Sequence, residues 1–549
     1  MSKPFLRTKI SVLVAGVLAV GLAPAAMADS SDQIQQMQQE ISTLQQRLQQ
    51  LQDQTSQTAA KVDETSAKAD QASAQASQTQ AQVNQLSGLV PLGDKNGKAN
   101  THSVRFGGVD VTFGGFAAEE NVYRSASLQS DINSPFSKIP FAPVAGAPIT
   151  GNGGVFPTNG YYNESEFRMT DRQSRFSILA QGNVDPTTLL SAYYEFDFLG
   201  GAATANSNES NSFNLRTRHV YSTVDWLDSG WHLLAGQTWS LATLNSQGIT
   251  PRNEVTPLTI DAQYVPGFVW ARQAQLRLTK DWDKKYWAAL SIENAQSPGV
   301  GTQLGAIGGG LLNVTGGNTP NYSVNKYPDI VAKVAAETSF GHFELFDLMR
   351  NFQYTQGNTA TGAQADVWGN SVGAGMILPI IPKTLEFNLS GLYGQGVGRY
   401  GTSGLPDATL DASNNLQLLT GYSVLGAAIW HANPKLDIYL DVGEDVADGS
   451  TYAKTGGGLT GYGDGVVSPA TFNTLSAAFG SAALNAGQIN TSLQETVGLW
   501  WSFYKGNYGA AKLGLQYSHT TLTDFALTNG VTPSASDNMV MTSLRYYPF

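Results

Sequence analysis

The sequence of 549 residues contains no cysteine, and only 14% of its residues are charged. The absence of cysteine excludes disulfide frameworks, thiolate metal sites and cysteine nucleophiles. After residue 30, no apolar run reaches the ~18 residues that a membrane-spanning helix needs. The formal charge of −11 argues against a general nucleic-acid-binding protein. A transmembrane barrel is still compatible with these absences, because barrel strands alternate apolar and polar residues.

The first 28 residues have the pattern of a secretory signal peptide. Lys3, Arg7 and Lys9 precede an apolar run, and the small residues of Ala26-Met27-Ala28 come before the polar Asp29. This order of charged, apolar and small-residue regions predicts cleavage after Ala28 and export from the cytoplasm. Loss of the three basic residues changes the formal charge from −11 to about −14.

Residues 29–92 carry a heptad pattern that begins at Ile34 and runs for about eight repeats without a stutter. No proline or glycine interrupts it before Gly88, and the other positions are mostly Gln, Ser and Ala. The pattern predicts a periplasmic coiled coil. A glutamine-rich disordered linker is the alternative, and the segment from Thr55 to Thr79 is its weakest part. The heptads alone leave the number of helices open. Residues 93–102 form a linker.

From residue 103 to 549 the period changes from 3.5 to two. Leu436, Ile438, Leu440 and Val442 alternate with Asp437, Tyr439, Asp441 and Gly443, and the same alternation appears around Phe387, Phe196 and Leu515. We count about sixteen strands, joined alternately by seven short turns and eight long loops, the longest near Ala118–Glu164, Gln296–Lys326 and Val446–Asn490. This pattern predicts an all-β transmembrane barrel of antiparallel strands, preceded by the α-helical coiled coil.

Aromatic residues cluster beside the predicted short turns, as expected of a membrane-interface girdle. Trp226 and Trp231 flank one turn, Trp282 and Trp287 flank another, and three more tryptophans lie close to two others, namely Trp430, Trp500 and Trp501. The chain ends on Phe549 after Pro548, and we expect the last strand to bend or end at this proline.

A barrel of this size encloses a water-filled channel whose polar wall selects the solute. Four arginines lie on the polar faces of the second, fourth and sixth strands, and therefore on one arc of the wall: Arg175, Arg216, Arg218 and Arg277. Glu386, Asp437 and Asp441 belong to later strands, across the lumen. Guanidinium groups match carboxylates bidentately, so this arginine ladder predicts a path for small anions. Ordinary charge pairing, for example of Arg218 with Glu195 or Asp197, is the alternative.

Three further points concern this wall. Tyr221 is placed by alternation on the face opposite Arg216 and Arg218. Arg168, Arg172 and Arg272 have the outward parity unless a bulge intervenes. The third long loop, Leu241–Phe268, contains Arg252 and Glu254; such a loop can fold into the channel and form its constriction, so both residues join the candidate path. A surface position for this loop is the alternative.

Several stretches together resemble the DcaP-like family of trimeric outer-membrane porins: Asp171–Phe176, Tyr194–Phe198, Leu215–Tyr221, Ala235–Ser240 and Arg272–Arg277. The resemblance implies a sixteen-stranded homotrimer in the outer membrane of a Gram-negative cell, in contact with lipid and lipopolysaccharide. It also implies a periplasmic coiled coil and passage of small anions such as dicarboxylates. A phosphate-selective or general porin is the nearest alternative.

Other classes of function fit less well. None of the six histidines stands beside a Gly-x-Ser-x-Gly elbow, so we predict no enzyme activity. No metal-ligand cluster or phosphate-binding glycine loop appears, so we predict no cofactor. A trimeric adhesin or cell-wall tether would combine a coiled coil with a barrel, but adhesin barrels take few strands from each chain. Contact of the coiled coil with peptidoglycan is a separate hypothesis.

Overall fold

A computed structural model places most of the strands of this chain in one closed sheet. It describes residues 103–128, 161–200, 211–262, 264–297, 325–355, 364–413, 415–453, 459–463, 489–526 and 530–549, together with positions 42, 46, 49, 50, 132, 136, 139–141 and 455. The chain divides into two compact units, Met1–Asn84 and Gln85–Phe549. Among the described residues, no helix is both long enough and apolar enough to cross a membrane.

The strands in chain order are β1 Ser103–Phe106, β2 Val109–Arg124, β3 Glu166–Thr170, β4 Arg175–Asp185, β5 Thr188–Gly200, β6 Asn214–Trp226, β7 Trp231–Trp239, β8 Arg272–Trp282, β9 Tyr286–Glu293, β10 Asp329–Thr338, β11 Gly341–Thr355, β12 Gln364–Ile381, β13 Leu385–Gln395, β14 Ala408–Leu410, β15 Leu416–Leu418, β16 Thr420–Asn433, β17 Leu436–Ala447, β18 Ser450–Ala453, β19 Leu459–Tyr462, β20 Ile489–Gly506, β21 Gly509–Asp524 and β22 Ser534–Tyr547. A short 3₁₀ helix, Tyr161–Asn163, precedes β3.

The sheet closes because the last strand pairs with the first long one: β22 lies antiparallel to β2, from Ala117 opposite Tyr546 to Arg124 opposite Met539. The other edge of β2 pairs with β3 and β4, which together occupy one position in the wall. The short strand β1 folds back on the start of β2. The hairpins β14–β15 and β18–β19 lie outside the main sheet. The wall therefore has sixteen strands, as the sequence predicts.

The alternation of side chains also agrees with the sequence. On β17, Leu440 and Val442 are exposed on the outer surface, whereas Tyr439 and Asp441 point inward and are buried. Seven tight turns join the strands at one end and longer segments join them at the other. One boundary differs: the segment from Ala118 to Arg124 belongs to β2, so the first long loop starts later than predicted. β22 ends at Tyr547, just before Pro548.

Most tryptophans beside the short turns face outward, but two do not. Trp226, Trp231, Trp282, Trp430 and Trp501 are exposed on the outer surface, as a girdle requires. The prediction that Trp287 and Trp500 belong to the girdle is wrong, because both are buried inside the barrel. Their positions follow the strand period, because each is one residue away from the outward parity of its strand.

The buried core lies inside the barrel, where loop segments pack against the wall. One cluster joins Leu241 and Ile249 of the third long loop to Val331, Phe346 and Leu348 of β10 and β11. A second joins Ile260 of the same loop to Ile429, Tyr439, Trp500 and Met541 on the opposite wall. The interior is therefore filled by inward loops over part of its cross-section.

The predicted coiled coil lies almost entirely outside the described residues. Four positions of the heptad segment are described, Ser42, Gln46, Gln49 and Gln50, and each is helical and exposed. The signal peptide, the coiled coil and the linker at 93–102 stay predictions.

Candidate functional site inside the barrel

The wall that carries the arginines is locally irregular, and this irregularity aims an extra side chain inward. Between β5 and β6 the register shifts, so that Glu195 pairs with His219 and Phe196 pairs with Thr217, which leaves Arg218 as the extra residue of a β-bulge. Arg216, Arg218 and His219 consequently all point inward. The bulge also reverses the parity of the residues that follow, so Tyr221 lies inside the barrel rather than on the outer face as predicted.

Two arginines of β6 are held by two carboxylates of β5. Arg216 forms a bidentate pair with Asp197, with Nε–Oδ1 and Nη2–Oδ2 distances of 2.9 and 2.7 Å. Arg218 donates from Nε to Glu195 Oε1 at 2.5 Å and from Nη1 to Asp197 Oδ2 at 3.1 Å. Glu195 also accepts a hydrogen bond from the Tyr193 hydroxyl at 2.8 Å. The charge pairing proposed as the alternative for Arg218 is therefore present, alongside the predicted inward placement.

The other two arginines of the predicted ladder also face inward. Arg175 on β4 lies 3.7 Å from Glu195, and its guanidinium covers the ring of Phe116 at 5.3 Å. Arg277 on β8 donates to Gln275 Oε1 at 2.9 Å and to the Trp239 carbonyl at 2.8 Å. The four residues therefore occupy one arc, from β4 to β8, as the alternation predicts.

Of the arginines with outward parity, Arg272 is the one that joins this group. It lies over the ring of Trp239 at 5.0 Å and interacts electrostatically with Arg218 and Arg216. Arg172 donates to the carbonyls of Phe198 and Leu199 and stacks on Phe213. Arg168 is exposed, 3.7 Å from Glu166.

The third long loop, which in the structure extends over residues 240–271, enters the barrel and contacts the wall on several sides. Its carbonyl at Thr243 accepts a hydrogen bond from Lys333 of β10 at 2.7 Å. On another side, Trp500 of β20 donates to the Leu258 carbonyl at 2.7 Å. Gly267, with φ of +80°, lies so close to the Val424 carbonyl that a Cβ at this position would overlap it. Only glycine permits this approach of loop backbone to wall.

Arg252 stands at the tip of a hairpin within this loop. An isolated bridge between Asn245 and Glu254 closes the hairpin. Arg252 follows Pro251 and has φ of +70°, a left-handed conformation in which glycine is usual. Its Nη1 donates to the Tyr221 hydroxyl at 2.9 Å, so the tip is tied to β6. The strained backbone thus directs a guanidinium toward the arginine-bearing wall.

Glu254 lies beside the same group. Burial raises the pKa of its carboxyl, and the charges of Arg277 and Arg252 oppose this shift. Its Oε1 is buried and accepts no hydrogen bond from the described residues. We define the arginine cluster as six guanidiniums and the three carboxylates that face them: Arg175, Arg216, Arg218, Arg252, Arg272, Arg277, Glu195, Asp197 and Glu254. Positive charge is in excess in this cluster.

The members of the cluster differ in access. The side chains of Arg175 and Arg216 are 25% and 28% exposed, whereas that of Arg218 is 2% exposed. Arg277 is also buried. A solute in the channel could therefore touch Arg175 and Arg216 directly. Arg218 and Arg277 are buried and are paired with neighbouring groups of the wall.

The acidic residues predicted across the lumen lie on β13 and β17, the eleventh and thirteenth strands of the wall. Asp441 is buried, and its Oδ2 accepts no hydrogen bond from the described residues. It lines a cavity of about 30 Å³ under the third long loop, together with Thr256, Leu258 and Asn388. This volume holds a water molecule. Asp437 is paired with His431 at 2.6 Å, and Glu386 is partly buried.

A second inward loop, which the sequence does not reveal, packs on the third. The sixth long loop, residues 396–419, accepts a hydrogen bond from Trp270 Nε1 at the Gly401 carbonyl, at 2.7 Å. Asp445 of β17 joins the two loops: its Oδ1 accepts from Gly267 N and its Oδ2 from Ser403 N, both at 3.0 Å. The only sequence signal for this loop is its length between two clear strands.

An ion-pair network anchors the sixth long loop to the wall. Arg350 of β11 lies 2.9 Å from Asp407 and 3.2 Å from Asp329, and all three side chains are 1% exposed. Tyr400 donates to Asp329 at 3.0 Å. Burial raises the pKa of Asp407 to about 6, although the positive charge of Arg350 opposes the shift.

Within the described part of the chain, no group of three or more histidine, aspartate or glutamate side chains is arranged to hold a metal ion. The polar groups inside the barrel form ion pairs and hydrogen bonds with one another along a path. This arrangement suits electrostatic selection of a passing solute.

We expect Arg218→Met to lower the free energy of unfolding by about 3–5 kcal/mol, because it leaves two buried carboxylates without their shared cation. Arg216→Met is the matched control: its side chain is partly exposed, so water can replace it at Asp197 and the cost should be clearly smaller. Urea unfolding in lipid vesicles measures both, and equal costs would contradict the pairing described above.

We expect Asp407 to make stability depend on pH. Its folded pKa of about 6 exceeds its usual value of 3.8, so its favourable contribution is present below pH 3.8 and is lost as the pH rises through 6. Asp407→Asn should therefore reduce the decline in stability between pH 4 and 7, by at most about 3 kcal/mol. Thermal melts of both proteins across this range measure the difference. Parallel pH profiles would refute the assignment.

Comparison with known proteins gives one family-model match to the N-terminal part of the chain and structural matches to the barrel. A family model described as "AKNA: AT-hook-containing transcription factor" matches residues 13–88. This match overlaps most of the predicted leader and heptad segment and none of the barrel. No curated protein matches the chain.

Among solved structures, the chain is similar to the outer membrane channel DcaP of Acinetobacter baumannii, with a TM-score of 0.55 and 17% identity over 81% of this chain and 98% of that one. It also matches an anion-selective porin from Comamonas acidovorans, with a TM-score of 0.40 and 10% identity over 80% and 99% of the two chains. The resemblance to the DcaP-like porins is thereby confirmed at the level of the fold: this chain has the barrel of the DcaP channel.

Proposed function

We propose that this protein is an outer-membrane porin through which small anionic solutes, such as dicarboxylates, diffuse. The observation that carries the proposal is the arginine cluster, in which guanidiniums outnumber carboxylates beside an inward loop. Two of its arginines, Arg175 and Arg216, are partly exposed to the interior. A wall with excess positive charge raises the local concentration of anions and lowers that of cations.

The geometry favours carboxylates as the solute class. A guanidinium has a planar fork of donors that matches a carboxylate with two parallel hydrogen bonds. The pair between Arg216 and Asp197 shows this geometry within the wall itself. We infer that a solute carboxylate passes along Arg175, Arg216 and Arg252 in succession. Arg218, Arg277 and Glu254 set the net charge around these three arginines and help to hold them in position.

The outer surface of the barrel supports a location in a membrane. Exposed leucines, valines and aromatics alternate with inward polar residues around the closed sheet. We propose that the leader at 1–28 directs export and that the barrel resides in the outer membrane of a Gram-negative cell, as a homotrimer. There the outer surface would contact lipid and lipopolysaccharide.

We expect the purified protein in a planar bilayer to prefer chloride over potassium. Arg175→Ala with Arg216→Ala should lower the permeability ratio by at least about five-fold per guanidinium, since a charge 4 Å away in water changes the energy of chloride by about 1 kcal/mol and that of potassium in the opposite sense. The matched control is Arg168→Ala, which removes the same charge from an exposed position near Glu166. Reversal potentials in a salt gradient measure the ratio. Cation preference in the unaltered protein, or an equal loss in the control, would refute the proposal.

We also propose that residues 29–92 form the periplasmic coiled coil and contact peptidoglycan. The support is the uninterrupted heptad pattern, whose apolar seam a single helix could not bury. The isolated segment should associate in solution, as sedimentation would show, and should be retained on purified peptidoglycan. Passage through the peptidoglycan without retention would exclude the cell-wall contact while leaving the coiled coil intact.

A further inference from the structure

An outward-facing patch on β11, β12 and the residues just before β10 carries polar groups where a lipid-exposed wall should be apolar. We define the outer patch as Lys326, Tyr327, Asp347, Asp366, Trp368 and Asn370. By the alternation of β11 and β12, Asp347, Trp368 and Asn370 share the outer surface with the exposed Leu345, Met349 and Val372. The arginine cluster and the inward loops lie on the other side of the wall, so the patch is separate from the solute path.

The lower part of the patch is a hydrogen-bonded polar pair. Asn370 Nδ2 donates to Asp347 Oδ1 at 2.9 Å, and the pair is exposed. β11 starts at Gly341 beside a short turn, so Asp347 stands roughly 15 Å above that turn, given ~3.3 Å per residue and a tilt of about 40°. This height lies within the ~25 Å apolar band of such barrels. A carboxylate facing plain acyl chains there is unfavourable, and Asn370 supplies one donor where a carboxylate can accept several, so Asp347 favours a partner with further donors.

The upper part of the patch joins an aromatic platform to a cation. The rings of Tyr327 and Trp368 stand 5.3 Å apart with an interplanar angle of 32°, and both are exposed. Lys326 lies over Tyr327 at 5.2 Å and 3.3 Å from Asp366, with a side chain that is 53% exposed. Exposed aromatic faces bind the apolar faces of sugars, and an exposed ammonium attracts phosphate.

Taken from bottom to top, the patch presents apolar side chains, then a hydrogen-bonding pair, then an aromatic platform, then a cation. A glycolipid presents the complementary order: acyl chains, then amide and hydroxyl groups at the junction, then sugar rings, then phosphates. A phospholipid has no sugar ring for the platform. A second copy of the chain would have to place donors opposite Asp347 within the apolar band.

We propose that the outer patch binds one lipopolysaccharide molecule of the outer leaflet. Its acyl chains lie along Leu345, Met349 and Val372, and the donors at its sugar–acyl junction pair with Asp347 and Asn370. Its sugars cover Trp368 and Tyr327, and a phosphate approaches Lys326. This inference rests on the outer-membrane placement proposed above, but it does not depend on anion selectivity.

The test is lipid binding by the full-length protein in detergent, measured by native mass spectrometry with lipopolysaccharide and, separately, with phosphatidylglycerol. We expect the unaltered protein to retain lipopolysaccharide preferentially. Trp368→Ala, and the double variant Asp347→Leu with Asn370→Leu, should each weaken this binding about ten-fold. Trp430→Ala is the matched control, because Trp430 is similarly exposed but lies beside a short turn at the other end.

Equal binding of the two lipids by the unaltered protein would overturn the proposal, whatever the variants do. So would unchanged lipopolysaccharide binding in folded variants. A smaller oligomer in the double variant, with lipid binding unchanged, would instead identify the patch as an interface between copies. Currents across planar bilayers, recorded on the same samples, distinguish failure of this site from failure of the porin function.

Discussion

Closure of the sheet is the constraint on which the other features depend. Because β22 pairs with β2, the main wall has no unpaired edge, and its backbone groups bond to one another rather than to solvent. The period-two alternation then separates an outer surface from an enclosed interior, which an open sheet would not have. Most outward positions, the outer patch excepted, form one apolar surface, and the inward positions face one enclosed space.

The enclosed space is organised by polar contacts between wall and loops. Asp445 accepts hydrogen bonds from backbone amides of the two inward loops, and Lys333 donates to the start of the third long loop. These anchors leave the arginine-bearing arc from β4 to β8 facing the hairpin tip at Arg252. The charge pairs within that arc neutralise part of the positive charge and fix the guanidiniums in place. The remaining excess is what gives the interior a preference for anions under the proposed function.

The sequence predicts this architecture well because alternation is a local property. Strand positions, short turns and the inward placement of Arg175, Arg216, Arg218 and Arg277 all follow from parity. One failure occurs where local parity is broken, because a bulge at Arg218 turns Tyr221 inward. The other has a different cause: proximity to a turn does not determine the face on which a residue lies, and strand parity places Trp287 and Trp500 inside. The sixth long loop could not be predicted, because its fold depends on distant partners such as Arg350 and Asp445.

The central claim is that the outer face of the barrel is immersed in lipid. Leu515 stands on that face of β21, and Leu459 is similarly exposed on the hairpin strand β19 outside the main sheet. The most direct test compares urea unfolding of Leu515→Arg and Leu459→Arg in lipid vesicles. The account predicts a loss of about 2–4 kcal/mol for the first and a change within about 0.5 kcal/mol for the second. Equally small changes in both would contradict it.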